Sequence, residues 1–279
     1  MSGITHRPVA LAIAGSDSGG GAGIQADLKT FAALGVHGAS AIACLTAQNP
    51  RRVLAVETCS PEILQRQIEA VFEEMPPAAA KTGMLFSAEN IRVVADFFRT
   101  RMARVRSAAA TPRSSRRIPL IVDPVMISTS GARLLEAKAV KALTEELLPL
   151  ATLITPNLHE AEILSGPKLA SVEDLRAAAR RICAGFGCAA LVKGGHLRGG
   201  HEAVDVFFDG WTELLLSAPF IKDVSTHGTG CTYSAAITAY LARGLDLPQA
   251  VKRAKQFITQ AIAGSYCIGK HSALNQLFR

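Results

Sequence analysis

The chain predicts an α/β fold of three layers: a central, mostly parallel β-sheet between two helical layers, with a small antiparallel addition. Three observations carry this expectation. Apolar, β-type runs alternate with helix-like segments along nearly the whole chain. Those runs are continuously apolar, as strands buried on both faces are. Amphipathic segments fall between them, which puts helices on both faces of a parallel sheet. The 279 residues are 49% hydrophobic and 19% charged, enough for a substantial core. With no internal repeat and no long linker, the expectation is one domain over residues 1–279.

The elements follow in order. Val9–Gly15 is a short apolar run stopped by a Gly/Ser/Asp turn, so it reads as the first strand, with Ile24–Leu34 as the first helix. Ala39–Leu45 and Val53–Cys59 are strands, then Pro61–Glu74 a helix, Ala79–Met84 a strand and Ala88–Arg106 a helix. Pro119–Asp123, Thr152–Thr155 and Ala189–Lys193 are further apolar strands. The helices Glu136–Leu148, Leu158–Leu164 and Val172–Gly185 lie between them. Ala203–Phe208 and Thr212–Leu216 flank an Asp209-Gly210 turn and make the antiparallel hairpin. Gly230–Arg243 and Pro248–Tyr266 close the chain as helices.

No run of about eighteen uncharged apolar residues marks a membrane span, and the N-terminus lacks a signal-peptide pattern, so the expected location is the cytoplasm. Six cysteines show no metal-ligand spacing and read mostly as buried thiols. The net charge of +7 is local, because seven arginines between Arg99 and Arg117, with no acidic residue among them, account for all of it. This segment reads as a solvated surface connection; no aromatic residues interleave its arginines, and no nucleic-acid partner is expected.

The most informative stretch is Ser225-Thr-His-Gly-Thr-Gly-Cys-Thr232, a Gly-rich turn entering an alanine-rich helix. Free amides and the helix dipole at such an end attract an anion. The same field would make Cys231 more acidic than a free cysteine. Other candidates follow strand ends, where open α/β sheets bind ligands. Gly15-Ser-Asp-Ser-Gly-Gly-Gly-Ala-Gly23 is neither a Walker A loop nor a clean dinucleotide fingerprint. It reads either as a plain connection or as a close backbone approach to a small ligand. Asp27, expected in the first helical turn, would face that ligand or favour the helix N-terminus. Gln48 offers the donor and acceptor that a heterocycle with a ring nitrogen beside an amino group would match. Asp123 ends an apolar run where an idle carboxylate is costly. Asn157 and Glu160 suit a capping box, or Glu160 holds Mg²⁺ beside phosphates. Lys193 would neutralise phosphate charge or snorkel to the surface.

These residues together resemble the hydroxymethylpyrimidine/phosphomethylpyrimidine kinases of thiamine biosynthesis, in the ribokinase-like superfamily. The matching motifs are Ala12 to Thr30, Thr46-Ala-Gln-Asn49, Lys81-Thr-Gly-Met-Leu85, Val122-Asp-Pro-Val-Met126, Thr155-Pro-Asn157 with Glu160, Lys193-Gly-Gly-His196 and Ser225 to Cys231. They stand in family order across nearly the whole chain. The resemblance implies a ribokinase-like fold and two ATP- and Mg²⁺-dependent phosphorylations. The first acts on 4-amino-5-hydroxymethyl-2-methylpyrimidine and the second on its monophosphate. It further implies that Gln48 and Asp27 bind the pyrimidine, with Gly15, Thr46, Met84 and Val125 lining its pocket. Gly228, Thr229, Gly230 and Cys231 would form the anion hole, and Cys231 would take the hydroxyl proton. Asp123, Asn157, Lys193 and Thr226 would lie along the nucleotide phosphates, with Glu160 and Asp123 on the metal side. A homodimer is also implied.

Two features depart from the family pattern. Lys270-His-Ser-Ala-Leu-Asn-Gln-Leu277 lacks the usual Gly-Pro on what the family makes the adenine-side wall, and the arginine-rich stretch is long. Val125 to Gly131 resembles a substrate flap, in which Ser128 stands where related pyridoxal kinases carry a cysteine. The rival readings are a pyridoxine/pyridoxal kinase and a catalytically idle pyrimidine sensor. The intact Gly228–Cys231 turn argues against the sensor.

Overall fold

A computed structural model of the chain describes residues 6–107, 117–127, 135–195, 197, 202–221, 224 and 227–278, leaving aside the side chains of 104–107. The strands are β1 (Val9–Asp17), β2 (His37–Asn49), β3 (Arg52–Thr58), β4 (Ala79–Thr82), β5 (Leu120–Val122), β6 (Leu153–Ile154), β7 (Ala189–Lys193), β8 (Glu202–Phe208), β9 (Glu213–Pro219), β10 (Tyr266–Ile268) and β11 (His271–Ala273). The helices are α1 (Gly23–Ala33), α2 (Pro61–Glu74), α3 (Ala88–Ser107), α4 (Ala137–Ala142), α5 (Leu158–Ser165), α6 (Val172–Phe186), α7 (Thr229–Ala242) and α8 (Leu247–Ala263). Nine strands form one sheet in the order β3-β2-β1-β4-β5-β6-β7-β8-β9. The pairs from β2 through β1, β4, β5 and β6 to β7 are parallel.

Neighbouring residues of one strand feed opposite layers, as the period of two requires. Leu11, Ile13, Leu120 and Val122 join the apolar core under α2 to α6. Ala10, Ala12 and Ile121 point the other way, toward α1, α7 and α8. Alanines on that second face let α7 lie close to the sheet, and its residues from Thr232 to Ala239 are all buried. A helix apolar on every side is a central helix, and α7 is one.

Several expectations are corrected. The antiparallel addition is present at β8–β9, but β3 also pairs antiparallel with β2, so both edges of the sheet carry one. β2 runs on to Asn49, which places Gln48 within the strand instead of after it. The expected helix at Glu136–Leu148 is broken: α4 gives way to a π turn at Leu143–Leu147 and a 3-10 turn at Leu148–Leu150. The last helix stops at Ala263, and Tyr266 opens the β10–β11 hairpin. Only Cys44 and Cys188 are buried cysteines; Cys59, Cys183 and Cys231 are half-buried and Cys267 is exposed. Within the basic segment, Arg99 pairs with Asp96, Arg101 stacks over the Phe72 ring, and Arg117 donates to the Leu150 carbonyl. No helix among the described residues is long and apolar enough to cross a membrane.

Candidate active site

The Gly-rich loop after β1 is organised by its own aspartate. The Asp17 carboxylate accepts hydrogen bonds from the Gly19, Gly21 and Ala22 amides at 2.8, 3.1 and 2.8 Å. Asp17 is buried, which alone would raise its pKa, but these amides and the His227 ring hold it below the usual carboxylate value. Asp17 therefore neutralises the start of α1, which is not where an anion would bind. Gly23, at φ +56, packs where a Cβ would meet the Gly15 carbonyl at 2.4 Å, and a Cβ on Gly15 would lie 2.7 Å from Cys44 Sγ. These glycines serve close chain packing.

The start of α7 is different. Its N-cap is Gly228, which has no side chain to cap the helix, and the first helical bond runs from the Thr232 amide to the Gly228 carbonyl. Gly228 adopts φ +81 and a Cβ there would stand 1.9 Å from the Gly21 carbonyl oxygen. The two loops are thus in direct backbone contact, which only glycine permits at that position. Two residues on, a Cβ on Gly230 would lie 3.3 Å from Lys193 Nζ and 3.4 Å from Asp123 Oδ2. Amides of a first helical turn have no acceptor in their own helix. The α7 terminus therefore packs closely on the Lys193–Asp123 pair, an approach that the lack of a side chain at Gly230 allows.

Asp123 follows β5 and Lys193 ends β7. Asp123 Oδ1 accepts from Lys193 Nζ at 3.1 Å and from Thr155 Oγ1 at 3.3 Å. Burial would lower the Lys193 pKa, but Asp123 and Glu160 outweigh it and hold the ammonium above its usual value. Lys193 does not snorkel to the surface; it is ion-paired at the floor of the site. The expected capping box is present. Asn157 Oδ1 accepts from the Glu160 amide at 3.0 Å, and Glu160 Oε2 from the Asn157 amide at 2.9 Å. Glu160 Oε1 takes the Met126 amide at 2.9 Å, tying the segment after β5 to α5. Burial pushes the Glu160 carboxyl up to about 7, assisted by Asp123 and opposed by Lys193.

Among the described residues no three His, Cys, Asp or Glu side chains are grouped to hold a metal by themselves. Mg²⁺ needs no such cage, since it binds through one or two carboxylates with phosphates and waters. Asp123 Oδ2, facing Gly230, fits that role better than Glu160, whose two oxygens already hold backbone amides.

On the other side of α7, Gln48 is engaged within the protein. Its Oε1 accepts from Thr46 Oγ1 at 3.2 Å, and its Nε2 lies 3.4 Å from His227 Nε2. His227 Nε2 is also 3.2 Å from Asp17 Oδ2, which links the Gly-rich loop to the α7 turn. Thr46 Oγ1 donates to the Ser16 carbonyl, and Gly15 lies near the Met84 carbonyl. Val125 adopts φ +43 and Phe86 φ +69, the two non-glycine residues with positive φ among those described. Strained backbone of this kind clusters at functional sites, and both residues follow strands of the parallel sheet, Phe86 after β4 and Val125 after β5.

Asp27 sits one residue beyond the first turn of α1 and is fully buried, paired at 2.7 Å with the equally buried Lys81 of β4. Its Oδ2 has no hydrogen-bond partner among the described residues. Burial raises Asp27 to about 6 against the Lys81 charge. Cys231 overturns its expectation: burial pushes the thiol up to about 11, outweighing Lys81 and the hydrogen bond from the Gly23 amide. A helix terminus alone does not make it acidic.

The sequence residues thus fall into two groups meeting at the α7 turn: Asp123, Thr155, Glu160, Lys193 and Gly230 on one side, Thr46, Gln48 and Gly15 on the other. Thr226, His196 and Ser128 lie outside the described residues. Asp17, His227 and Lys81 were not singled out as site residues, although a lone lysine in the apolar run Ala78-Ala-Ala-Lys81 was a readable signal. Ile268, Ser272 and Ala273 of the C-terminal hairpin share a small cavity with Asp17, Gly19, Gly21 and His227. The departing C-terminal segment therefore also flanks the Gly-rich loop.

A family model described as phosphomethylpyrimidine kinase matches residues 17–275. A hydroxymethylpyrimidine/phosphomethylpyrimidine kinase of Rhizobium meliloti strain 1021 is 50% identical over 258 residues, 92% of this chain and 91% of the relative. The crystal structure of a phosphomethylpyrimidine kinase from Clostridium difficile 630 is 42% identical with a TM-score of 0.77, covering 92% of this chain and 100% of the other. An ADP complex of Bacillus subtilis pyridoxal kinase is 36% identical with a TM-score of 0.84, covering 97% and 98%.

Proposed function

From the premise that the chain belongs to the phosphomethylpyrimidine kinase family, we propose that it transfers the γ-phosphoryl group of ATP twice: to the hydroxyl of 4-amino-5-hydroxymethyl-2-methylpyrimidine, then to the resulting monophosphate. The observation that carries this reading is the close approach of the α7 N-terminus, at Gly230, to Lys193 Nζ and Asp123 Oδ2. Amide dipoles and an ammonium converging there suit the charge that develops on a transferring phosphoryl group. Mg²⁺, when bound with the nucleotide, supplies further neutralisation of phosphate charge, and Asp123 with Glu160 behind it would hold it. Asn157 acts by fixing Glu160 and the start of α5.

On the pyrimidine side, Gln48 exchanges its contacts with Thr46 and His227 for the ring nitrogen and amino group, while Gly15, Met84 and Val125 line the ring. Asp27, which has no exposed surface, would act on the pyrimidine pocket only from beneath it. In the first step the alcohol must lose a proton as its oxygen attacks phosphorus. Cys231, once its own proton has left to solvent, takes it; the new P–O bond forms as the bond to ADP breaks. In the second step the attacking phosphate oxygen is largely ionised already and needs no base.

The test incubates the protein with Mg–ATP and, in separate reactions, the hydroxymethylpyrimidine, its monophosphate, pyridoxine and pyridoxal. Turnover of the first two compounds is expected, and absence of both sinks the proposal. Pyridoxal phosphorylation is the second reading, favoured by the TM-score of 0.84 to a pyridoxal kinase. A cytoplasmic homodimer completes the proposal. Exposed apolar side chains support the dimer: Leu45 on β2 and Val53 and Leu54 on the edge strand β3 are 50%, 42% and 61% exposed, surface that an isolated sheet edge ordinarily avoids. A monomeric mass by light scattering would rule it out.

A further inference from the structure

A lysine stands on the buried face of α8. Its neighbours there are Val251, Ala254 and Ile258, and Lys255 itself is buried among them. The ammonium crosses to β8, donating to Asp205 Oδ2 at 2.7 Å and to the Ala203 carbonyl at 2.9 Å. Asp205 is buried as well. Taking an ammonium and a carboxylate out of water costs more than their attraction returns unless further hydrogen bonds complete the pair. Apolar residues of similar volume would serve packing as well or better, so stability alone does not account for a charged pair here.

The other oxygen of Asp205 gives a reason. Asp205 Oδ1 accepts from the Gly194 amide at 3.0 Å. Gly194 is where β7 leaves the sheet. The register of β7 with β8 ends at Lys193↔Asp205, and the Gly194 carbonyl accepts from the Leu197 amide at 2.9 Å. A Cβ on Gly194 would run into the Val204 carbonyl and the Leu175 side chain, so the backbone is held close on one side and by its amide on the other. Lys193 is the residue immediately before. As cross-strand partners in an antiparallel pair, Lys193 and Asp205 project from the same face of the sheet. From that face Lys193 Nζ reaches Asp123 Oδ1 at 3.1 Å beside Gly230.

We propose that Asp205 and Lys255 are positioning residues for the nucleotide side of the site: the pair aims a carboxylate at the Gly194 amide and so fixes the strand end from which Lys193 meets the phosphates. The inference rests on the reading of Lys193 as the phosphate-side cation. The two members have distinct parts. Asp205 supplies the acceptor that the turning chain needs. Lys255 occupies its second oxygen and balances its charge, which lets the carboxylate stay buried beside the strand end without drawing in water.

The experiment separates the pair's packing from its aim. Asp205→Leu/Lys255→Met replaces both charges by apolar side chains, so its Tm is expected at or above that of wild type. It nevertheless leaves the Gly194 amide without its acceptor. In steady-state assays with Mg–ATP and the hydroxymethylpyrimidine, KM for ATP is expected to rise about tenfold while KM for the pyrimidine stays within about twofold of wild type. Asp205→Asn/Lys255→Met also removes both charges but keeps an Oδ1 acceptor, and is expected to recover most of the ATP KM. A purely structural pair would give both double variants the same ATP kinetics. If the leucine variant does not fold, Asp205→Ser/Lys255→Met takes its place, because a serine hydroxyl is too short to reach the Gly194 amide. A wild-type KM for ATP in a folded variant lacking the acceptor overturns the proposal. Lys193→Met, assayed beside them, tests the premise. A raised KM for ATP in Lys193→Met alone leaves the phosphate-site reading standing without the positioning role, whereas unchanged ATP kinetics in Lys193→Met remove both.

Discussion

Substituting Gly228 by alanine separates the α7 turn from everything else the fold needs. Two costs are built into the site. At φ +81 a side chain adds roughly 1–2 kcal/mol of backbone strain. The new Cβ would also stand 1.9 Å from the Gly21 carbonyl oxygen, where ordinary contact begins near 3.4 Å, so two backbone segments must part by about 1.5 Å. Because α7 is buried along its length, the displacement falls on the turn and on the Gly-rich loop. A misplacement of about 1 Å at a reacting centre costs on the order of a hundredfold in rate. We expect kcat/KM for both phosphorylations to fall by about that factor, nearly 3 kcal/mol of transition-state stabilisation. Gly166→Ala is the control: Gly166 has φ +95 but nothing within 4 Å of the added Cβ. It bears the strain without the clash and should lower Tm by a few degrees while leaving both activities intact. Product formation in each step, with thermal unfolding of both variants, decides the matter. A folded Gly228→Ala protein within threefold of wild type would refute the docking of α7 on the Gly-rich loop as the basis of the anion site.

Three further outcomes are expected. Cys231→Ala should slow phosphorylation of the hydroxyl far more than phosphorylation of the monophosphate; equal losses in steady-state assays would leave Cys231 a structural role only. Lys193→Met removes the cation that offsets both Asp123 and Glu160, so KM for ATP should rise and kcat fall at least about tenfold, and unchanged ATP kinetics would remove Lys193 from the phosphate site. Glu160, raised from 4.5 to about 7, holds a proton in the folded protein that the unfolded chain releases, so its contribution to stability falls as pH rises between those values. Tm measured across that window should therefore shift in favour of Glu160→Gln relative to wild type as pH rises, and a constant difference would contradict the buried, proton-holding carboxyl.

What the sequence disclosed follows from the range of each interaction. The sheet was legible because burial on two faces leaves continuous apolar runs, and β5 and β7 occupy the stretches those runs marked. Asp123 was legible for the related reason that a carboxylate closing such a run must have a partner. The capping box of Asn157 and Glu160 spans three residues and needs no tertiary knowledge. The β2–β3 hairpin was missed because its edge strand is exposed, so no buried pattern announces the pairing. Lys81 meets Asp27 across 54 residues and His227 meets Asp17 across 210, separations at which no local rule operates.

Cys231 marks the limit most clearly. The local rule, a thiol at a helix N-terminus, predicts a depressed pKa, and the amide that does lower it comes from Gly23 of α1. Burial and the carboxylates of Asp27 and Asp123 reverse the outcome, with Lys81 opposing them. Those three residues come from α1, the end of β5 and β4, so the sign of the effect is a property of the assembled sheet. A thiol can be located from a motif, whereas its protonation state belongs to the side chains that folding brings around it.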